Sequence, residues 1–184
     1  MVKVFLVEYE SIIRHGIRDN IDWASHGFEF AGEAGDGEYA YPLILKAQPD
    51  ILVTDIKMPF MDGLELARIV RKELPDTRII ILSGHNEFEY ARKAITLGVN
   101  DYLLKPVSSR DILEAVDRSK AQILECRARR IERQSHSITQ RDLSPCGVVG
   151  IVADEAPFLL HHDDVQSRQP FAEVFQALRV GQAR

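Results

Sequence analysis

The sequence predicts an α/β fold: a doubly wound parallel sheet of five strands with helices on both faces, extended by a C-terminal helix and tail. Three observations carry that expectation. Short β-rich runs alternate with amphipathic helical patterns through Lys120. The strand runs are apolar along their length rather than at every second residue, which marks a sheet covered on both sides. Gly, Pro and Asp fall between the periodic segments, where chain reversals need them.

The elements follow in order. Val2-Val7 is a short β-rich run, and Ser11-Ile21 places Ile12, Ile13, Gly16, Ile17 and Ile21 at helical spacing, with Ser11 as a candidate cap. Phe28-Ala34 reads as the second strand, closed by the turn Gly35-Asp36-Gly37. Glu38-Ala47 is a helix interrupted or shaped by Pro42. Ile51-Asp55 is an apolar strand that finishes in an acid, and Gly63-Leu74 is an amphipathic helix stopped by Pro75-Asp76. Arg78-Ser83 is the fourth strand, Phe88-Leu97 a helix ended by Gly98, and Val99-Leu104 the last strand. A long helix starts at Ser108 or Ser109.

In parallel sheets of this kind ligands bind at the carboxyl ends of the strands. Those ends carry Glu8-Tyr9-Glu10, Asp55, Ser83 and Lys105. Carboxylates, a hydroxyl and an ammonium on one rim suit a hard cation and a phosphoryl group. Mg2+ takes oxygen ligands, and a fixed, exposed Asp55 carboxylate can attack a phosphoryl donor to give an aspartyl-phosphate. Mg2+ and Lys105 would offset the charge on the transferring oxygens, and Ser83 would hydrogen-bond the group on arrival. Taken singly, each has a plainer account: a loop-capping acid, a solvated lysine, an ordinary strand-end serine. The ordered set is what points to phosphoryl chemistry. A hydrolase acting through the same aspartyl-phosphate would need a substrate pocket and a further general acid or base, and the sequence supplies neither.

Composition narrows the class. Apolar residues make up 45% of the 184-residue chain and charged residues 28%, as in soluble globular proteins. A net charge of -5 argues against a whole-molecule nucleic-acid footprint. Two cysteines, Cys126 and Cys146, are too few and too far apart to suggest a disulfide scaffold or a Cys-rich metal site, and they fit a reducing compartment. No apolar run reaches the length of about 18 residues that a membrane helix needs, and no signal peptide precedes the first strand. The expected location is the cytoplasm.

With these residues in place the chain resembles the receiver domain of two-component response regulators, over Met1 to Lys120. VTDIKMPFMDG matches the phosphoacceptor loop around Asp55, ILSGH the switch hydroxyl at Ser83, and DYLLKPV the active-site lysine at Lys105. The resemblance implies a flavodoxin-like sheet of strand order 2-1-3-4-5 and a cis Lys105-Pro106 bond. It further implies a sensor histidine kinase as phosphoryl donor, and Mg2+ held by Asp55 and the Lys57 carbonyl; beside these, Glu8 could hold a metal-bound water and Glu10 could swing in. Tyr102 would be the aromatic partner of Ser83, moving when phosphate sequesters the hydroxyl and altering the face made by the Phe88-Leu97 helix and the last strand. Such a switch biases two pre-existing states. IIRHGIRDNIDWASHGFEFAGEAGDG and ILSGHNEFEYARKAITLGVNDYLLKPV are most similar to the transcription-regulator subgroup whose full-length members carry two helix-turn-helix units after a long middle region.

Tyr9 departs from the family pattern. The second acid after the first strand is the usual direct metal ligand there, and a phenol supplies no carboxylate. Mg2+ affinity is therefore expected to be weakened. Three readings stay open: a natural pseudo-receiver acting as a phosphorylation-independent interaction domain, a working receiver with poor metal binding, and an ordinary receiver in which Tyr9 is a variant or engineered residue.

Beyond the receiver, residues 121-135 read as a helical extension or linker. Ile112, Val116, Ser119, Ile123, Cys126 and Arg130 are spaced like a short heptad seam, which predicts a homodimer or a projecting linker. Arg127-Ala128-Arg129-Arg130 with Arg133 reads as a solvated helix end rather than a nucleic-acid contact. Residues 136-184 read as a tail or a piece of a middle region. They hold a turn at Leu143-Gly147, a strand-like Val148-Val152 and an amphipathic Phe171-Val180. His161-His162-Asp163-Asp164 makes a poor metal site on its own. No helix-turn-helix is visible, so DNA binding is expected only through a domain absent from this chain.

Overall fold

The computed structural model describes residues 1–84 and 88–141 of the chain, with side chains for these except Phe88 and residues 134–141. Ten elements follow in chain order: β1 Val2–Val7, α1 Ser11–Asn20, β2 Phe28–Ala34, α2 Gly37–Ala47, β3 Ile51–Asp55, α3 Gly63–Glu73, β4 Arg78–Ser83, α4 Phe88–Thr96, β5 Asp101–Leu104 and α5 Ser109–Arg141. The strands form one parallel sheet in the order β2-β1-β3-β4-β5. This is the expected doubly wound, flavodoxin-like sheet. Met1–Ile123 is one compact unit, and a second unit begins at Leu124.

The continuous apolar runs explain the central strands. All five residues of β3 are buried, and β4 is buried from Ile79 onward. Val4, Leu6, Val53, Ile80 and Leu82 meet Ile17 of α1 and Ile112, Ala115, Val116 and Ile123 of α5 in one core cluster. Trp23 packs at the amino end of β2, tilted on Phe30 and edge-on to Phe28.

Local chemistry sets the helix starts. The Asp36 carboxylate accepts from Tyr39 N–H at 2.7 Å and the Asp62 carboxylate from Glu65 N–H at 2.7 Å, capping α2 and α3. The cap position of α1 is Glu10, without a side-chain bond, so Ser11 opens the helix rather than capping it. Ile12, expected on the buried face, is exposed. α2 runs unbroken through Pro42. The last strand starts at Asp101 rather than Val99. Arg71 of α3 donates to the carbonyls of Pro75, Thr77 and Gly98 and to Asn100 Oδ1, tying α3 to the turn before β5.

The proposed seam of α5 needs correction. Ile112, Val116, Ser119 and Ile123 are buried in the Met1–Ile123 unit, because the stripe packs on the sheet of its own domain. They are unavailable to a second chain. Cys126 and Arg130 are exposed, as are Arg127, Arg129 and Arg133 of the basic run. The motifs at Leu143-Gly147, Val148-Val152, His161-Asp164 and Phe171-Val180 lie outside the described residues, as does Cys146.

Gly63 fixes how closely α3 approaches the sheet. A Cβ there would lie 1.9 Å from the carbonyl oxygen of Asp55, while Gly63 N–H donates to Ile56 O at 3.0 Å. No L side chain fits without moving backbone. Gly63→Ala is expected to destabilise by about 3 kcal/mol, the upper end of ordinary overpacking. Urea unfolding reads this as a lower midpoint at unchanged slope, and an unmoved midpoint would refute it.

Candidate phosphoryl-acceptor site

Three strand ends bring three charged side chains together. Glu8 follows β1 and is 0% exposed, and Lys105 follows β5. Asp55 ends β3 and is 5% exposed, buried rather than exposed as expected, because the strand end is covered on both faces. Lys105 Nζ lies 2.8 Å from Glu8 Oε2 and 3.0 Å from Asp55 Oδ2. The Glu8 Oε2 contact lacks hydrogen-bond alignment, so it is an ion pair held by charge. Glu8 Oε1 accepts from Glu10 N–H at 3.1 Å, and Arg14 Nη1 donates to Glu8 O at 2.6 Å. Backbone bonds hold the rim: Ile56 N–H donates to Leu82 O at 3.0 Å, and Lys105 N–H to Ser83 O at 2.7 Å. The Lys105–Pro106 bond is cis.

The remaining residues occupy different places. Ser83 closes β4, fully buried, with Oγ donating to Gly84 O at 3.3 Å. In the β4–β5 register Ile81 faces Tyr102 and Ser83 faces Leu104, so Ser83 and the buried Tyr102 are diagonal neighbours on one face. Lys57 lies in the loop after β3 with its side chain exposed, and Glu10 is exposed. Tyr9 is 57% exposed and, with Ile56, Lys57, Met58, Pro59, Asp62 and Tyr90, lines a shallow depression of about 400 Å3. Arg14 and this aromatic-walled depression escaped sequence reasoning. Arg14 carried no signal beyond its helix, and the depression joins residues from three separate elements.

Burial pushes the Glu8 carboxyl above the usual carboxylate range, against the Lys105 ammonium, and the Asp55 charge adds to the rise. Burial alone would pull Lys105 down, but Glu8 and Asp55 hold its ammonium above the ordinary lysine value. A carboxyl raised in the folded state binds more protons there than in the unfolded chain, so stability falls as pH rises through that window. The slope is expected to begin near the unperturbed 4.5 and to end above the raised value of Glu8. Urea melts across that range should show it in the unaltered chain and a flatter line in Glu8→Gln. Parallel lines would show that Glu8 is not its source.

The donor set fits Mg2+ poorly. Among the described residues no three acid, His or Cys groups cluster in a way that could hold a metal ion. Glu8 and Asp55 are shared by Lys105, and the next residue along the chain, Tyr9, is a half-exposed phenol rather than a carboxylate. Among the described residues, also, no helix is long and apolar enough to cross a membrane.

Comparison with known proteins agrees with this fold. The family described as response regulator receiver domain matches residues 4–117. The chain is 42% identical over 123 residues to the uncharacterized transcriptional regulatory protein YesN of Bacillus subtilis, covering 67% of this chain and 33% of that protein. It is 35% identical over 146 residues to the transcriptional regulatory protein HptR of Staphylococcus aureus, covering 79% and 54%. The chain thus spans a third to about a half of the curated relatives it matches. The solved REC domain of AraT, a response regulator from Geobacillus stearothermophilus, superposes with a TM-score of 0.65 at 43% identity, covering 69% of this chain and 99% of that one. A parallel sheet with Glu8, Asp55 and Lys105 joined at its carboxyl rim, and a family match across 4–117, make this chain a member of the response regulator receiver domain family, with relatives among transcriptional regulatory proteins.

Proposed function

We propose that the chain is a phosphoryl-accepting signalling module that takes its phosphoryl group from a sensor histidine kinase onto Asp55. The contact of Lys105 Nζ with Asp55 Oδ2 at 3.0 Å carries this reading. An Asp55 oxygen attacks phosphorus and an O–P bond forms. The P–N bond to the donor imidazole breaks, and the ring nitrogen keeps the electron pair. Lys105 then faces the gathering negative charge without first having to move. Ser83 accepts the new group as a hydrogen-bond partner, and Tyr102 follows the hydroxyl, biasing two states of the α4–β5 face.

In this reading residues 1-120 act as the receiver, 121-135 as a helical linker, and 136-184 as a tail or middle-region segment. The module is regulatory rather than a turnover enzyme, acts in the cytoplasm, and governs transcription through a DNA-binding domain of the full-length protein. Mg2+ binding is weak, with Glu10 and the Lys57 carbonyl as the remaining candidate donors. A phosphorylation-independent interaction domain is the second reading. Tyr9 alone favours it, whereas the joined Glu8, Asp55 and Lys105 speak for phosphoryl chemistry. The deciding test is incubation with a small phosphoryl donor, followed by mass spectrometry. One added phosphoryl group, removed by hydroxylamine, supports acceptance, and an unchanged mass at high donor and Mg2+ favours the second reading.

A further inference from the structure

The depression beside the acceptor site has walls that the charged rim leaves unused. Two phenols, Tyr9 and Tyr90, and the Asp62 carboxylate line its volume of about 400 Å3. Ile56 and Lys57 line it too, and they directly follow Asp55 in the chain, as Tyr9 directly follows Glu8. The depression therefore opens next to the acceptor carboxylate. At 57% exposure the Tyr9 ring is accessible to a ligand.

The chemistry of transfer says what would lie there. Attack on phosphorus runs in line, with the entering oxygen and the departing group on opposite sides. Asp55 is buried, so the departing group stands toward the surface. When the donor is a phosphorylated imidazole, an O–P bond forms to Asp55 and the P–N bond breaks. The ring, protonated beforehand at its other nitrogen, keeps the electron pair of that bond and leaves as neutral imidazole. Until the bond breaks, the departing group is thus a flat cation. Phenol faces attract such a group, and Asp62 adds a carboxylate to the same wall while its Oδ1 caps α3. Lys57 also lines the depression, but its side chain is exposed and its charge is screened by water. Tyr90 already draws one cation, since Lys93 Nζ lies 5.8 Å from its ring centroid. That is close to the outer limit of about 6 Å for such contacts, so Tyr9 is the stronger of the two rings for a ligand.

We propose that Tyr9 and Tyr90 seat the imidazole ring of the phosphoryl donor, which makes this receiver selective for phosphorylated imidazole over donors whose departing group has no ring. Tyr9 is then a specificity-determining residue that takes no part in bond making. The inference rests on Asp55 as the acceptor, and it names the residues that read the donor.

Three small donors separate ring from charge. Phosphoimidazole carries a cationic ring, phosphoramidate a cationic nitrogen without a ring, and acetyl phosphate neither. The rate of the mass gain that Asp55→Asn abolishes is measured with each donor below saturation, at one fixed Mg2+ concentration. Tyr9→Ala is expected to lower the ratio of the phosphoimidazole rate to the phosphoramidate rate about tenfold. Tyr90→Ala should lower it in the same direction, and Tyr9→Phe, which keeps a ring face, should preserve it. A change in metal binding or in overall fold acts on all donors and cancels in the ratio. An unchanged ratio in Tyr9→Ala, with Asp55 still phosphorylated, overturns the ring seat and leaves the acceptor reading standing. A ratio of phosphoramidate to acetyl phosphate that falls just as far shows that charge alone is read, and overturns it as well. So does a loss in Tyr9→Phe as large as in Tyr9→Ala. An unchanged mass with all three donors removes the acceptor reading and the ring seat together.

Discussion

Asp55→Asn is expected to abolish phosphoryl acceptance altogether, and Lys105→Met to slow it about 100- to 1000-fold. The two effects differ because the residues do different things. An amide oxygen carries no charge and forms no stable acyl phosphate, so removing the carboxylate removes the bond-forming atom. Lys105 forms no bond to phosphorus. Its ammonium, 3.0 Å from Asp55 Oδ2, balances charge that grows on the transferring oxygens, and losing one such preorganised donor slows a reaction without ending it. The variants also part in stability. Asp55→Asn leaves Lys105 paired with Glu8 at 2.8 Å. Lys105→Met leaves two buried carboxylates side by side with no counter-charge, and stripping one partner from a buried ion pair costs about 3–5 kcal/mol. Part of that loss is expected to be relieved by protonation of Glu8, whose carboxyl is already raised by burial. Rates of phosphoryl incorporation and urea midpoints measured on both variants check this. Residual acyl phosphate in Asp55→Asn, or a Lys105→Met chain as fast as the unaltered one, would count against these roles.

The sheet was legible because its strands obey one simple rule. A parallel strand covered on both faces must be apolar along its length, and Ile51-Asp55 and Arg78-Ser83 are, so their limits agree with the structure to the residue. The rim was legible for the same reason, since the residue that ends an apolar run in such a sheet must sit at the carboxyl edge. Helix faces were harder. Periodicity in α5 showed an apolar stripe but not what it packs against, and a stripe buried in its own domain has the same spacing as one buried in a partner. Only the burial of Ile112 and Val116 beside the exposure of Leu124 and Ile131 separates the two. Arg71 was hidden for a related reason. Four carbonyl and amide oxygens converge on it from two stretches of chain, and no local pattern marks such a clamp.

Tyr9→Asp is expected to tighten Mg2+ binding at least tenfold and up to about 100-fold, since losses of even outer-shell partners weaken metal sites by about that much. The argument is one of charge and donor type. Mg2+ requires hard oxygen donors in a nearly octahedral set. Here the two buried carboxylates already serve the Lys105 ammonium, which repels a divalent cation placed between them. A third carboxylate next to Glu8 would supply both a donor and the negative charge needed to hold metal beside Lys105. The substitution removes little packing, because Tyr9 is 57% exposed and lines only a shallow depression. Stability without metal should therefore change by no more than about 0.5 kcal/mol. With saturating Mg2+ the melting temperature of the variant should rise, as a ligand that binds only the folded state requires, while that of the unaltered chain moves far less. Titration calorimetry reads the affinity directly. Trp23 is a poor reporter, being packed on Phe28 and Phe30 at the amino end of β2, whereas the site lies at the carboxyl end of the strands. Two further variants separate the causes. Tyr9→Phe keeps the ring and should bind Mg2+ like the unaltered chain, and Tyr9→Ala clears the space without adding charge. If Tyr9→Ala gains as much as Tyr9→Asp, bulk rather than the missing carboxylate limits the site. If neither gains, Glu10 or the Lys57 carbonyl already completes the metal set, and Tyr9 costs the receiver nothing.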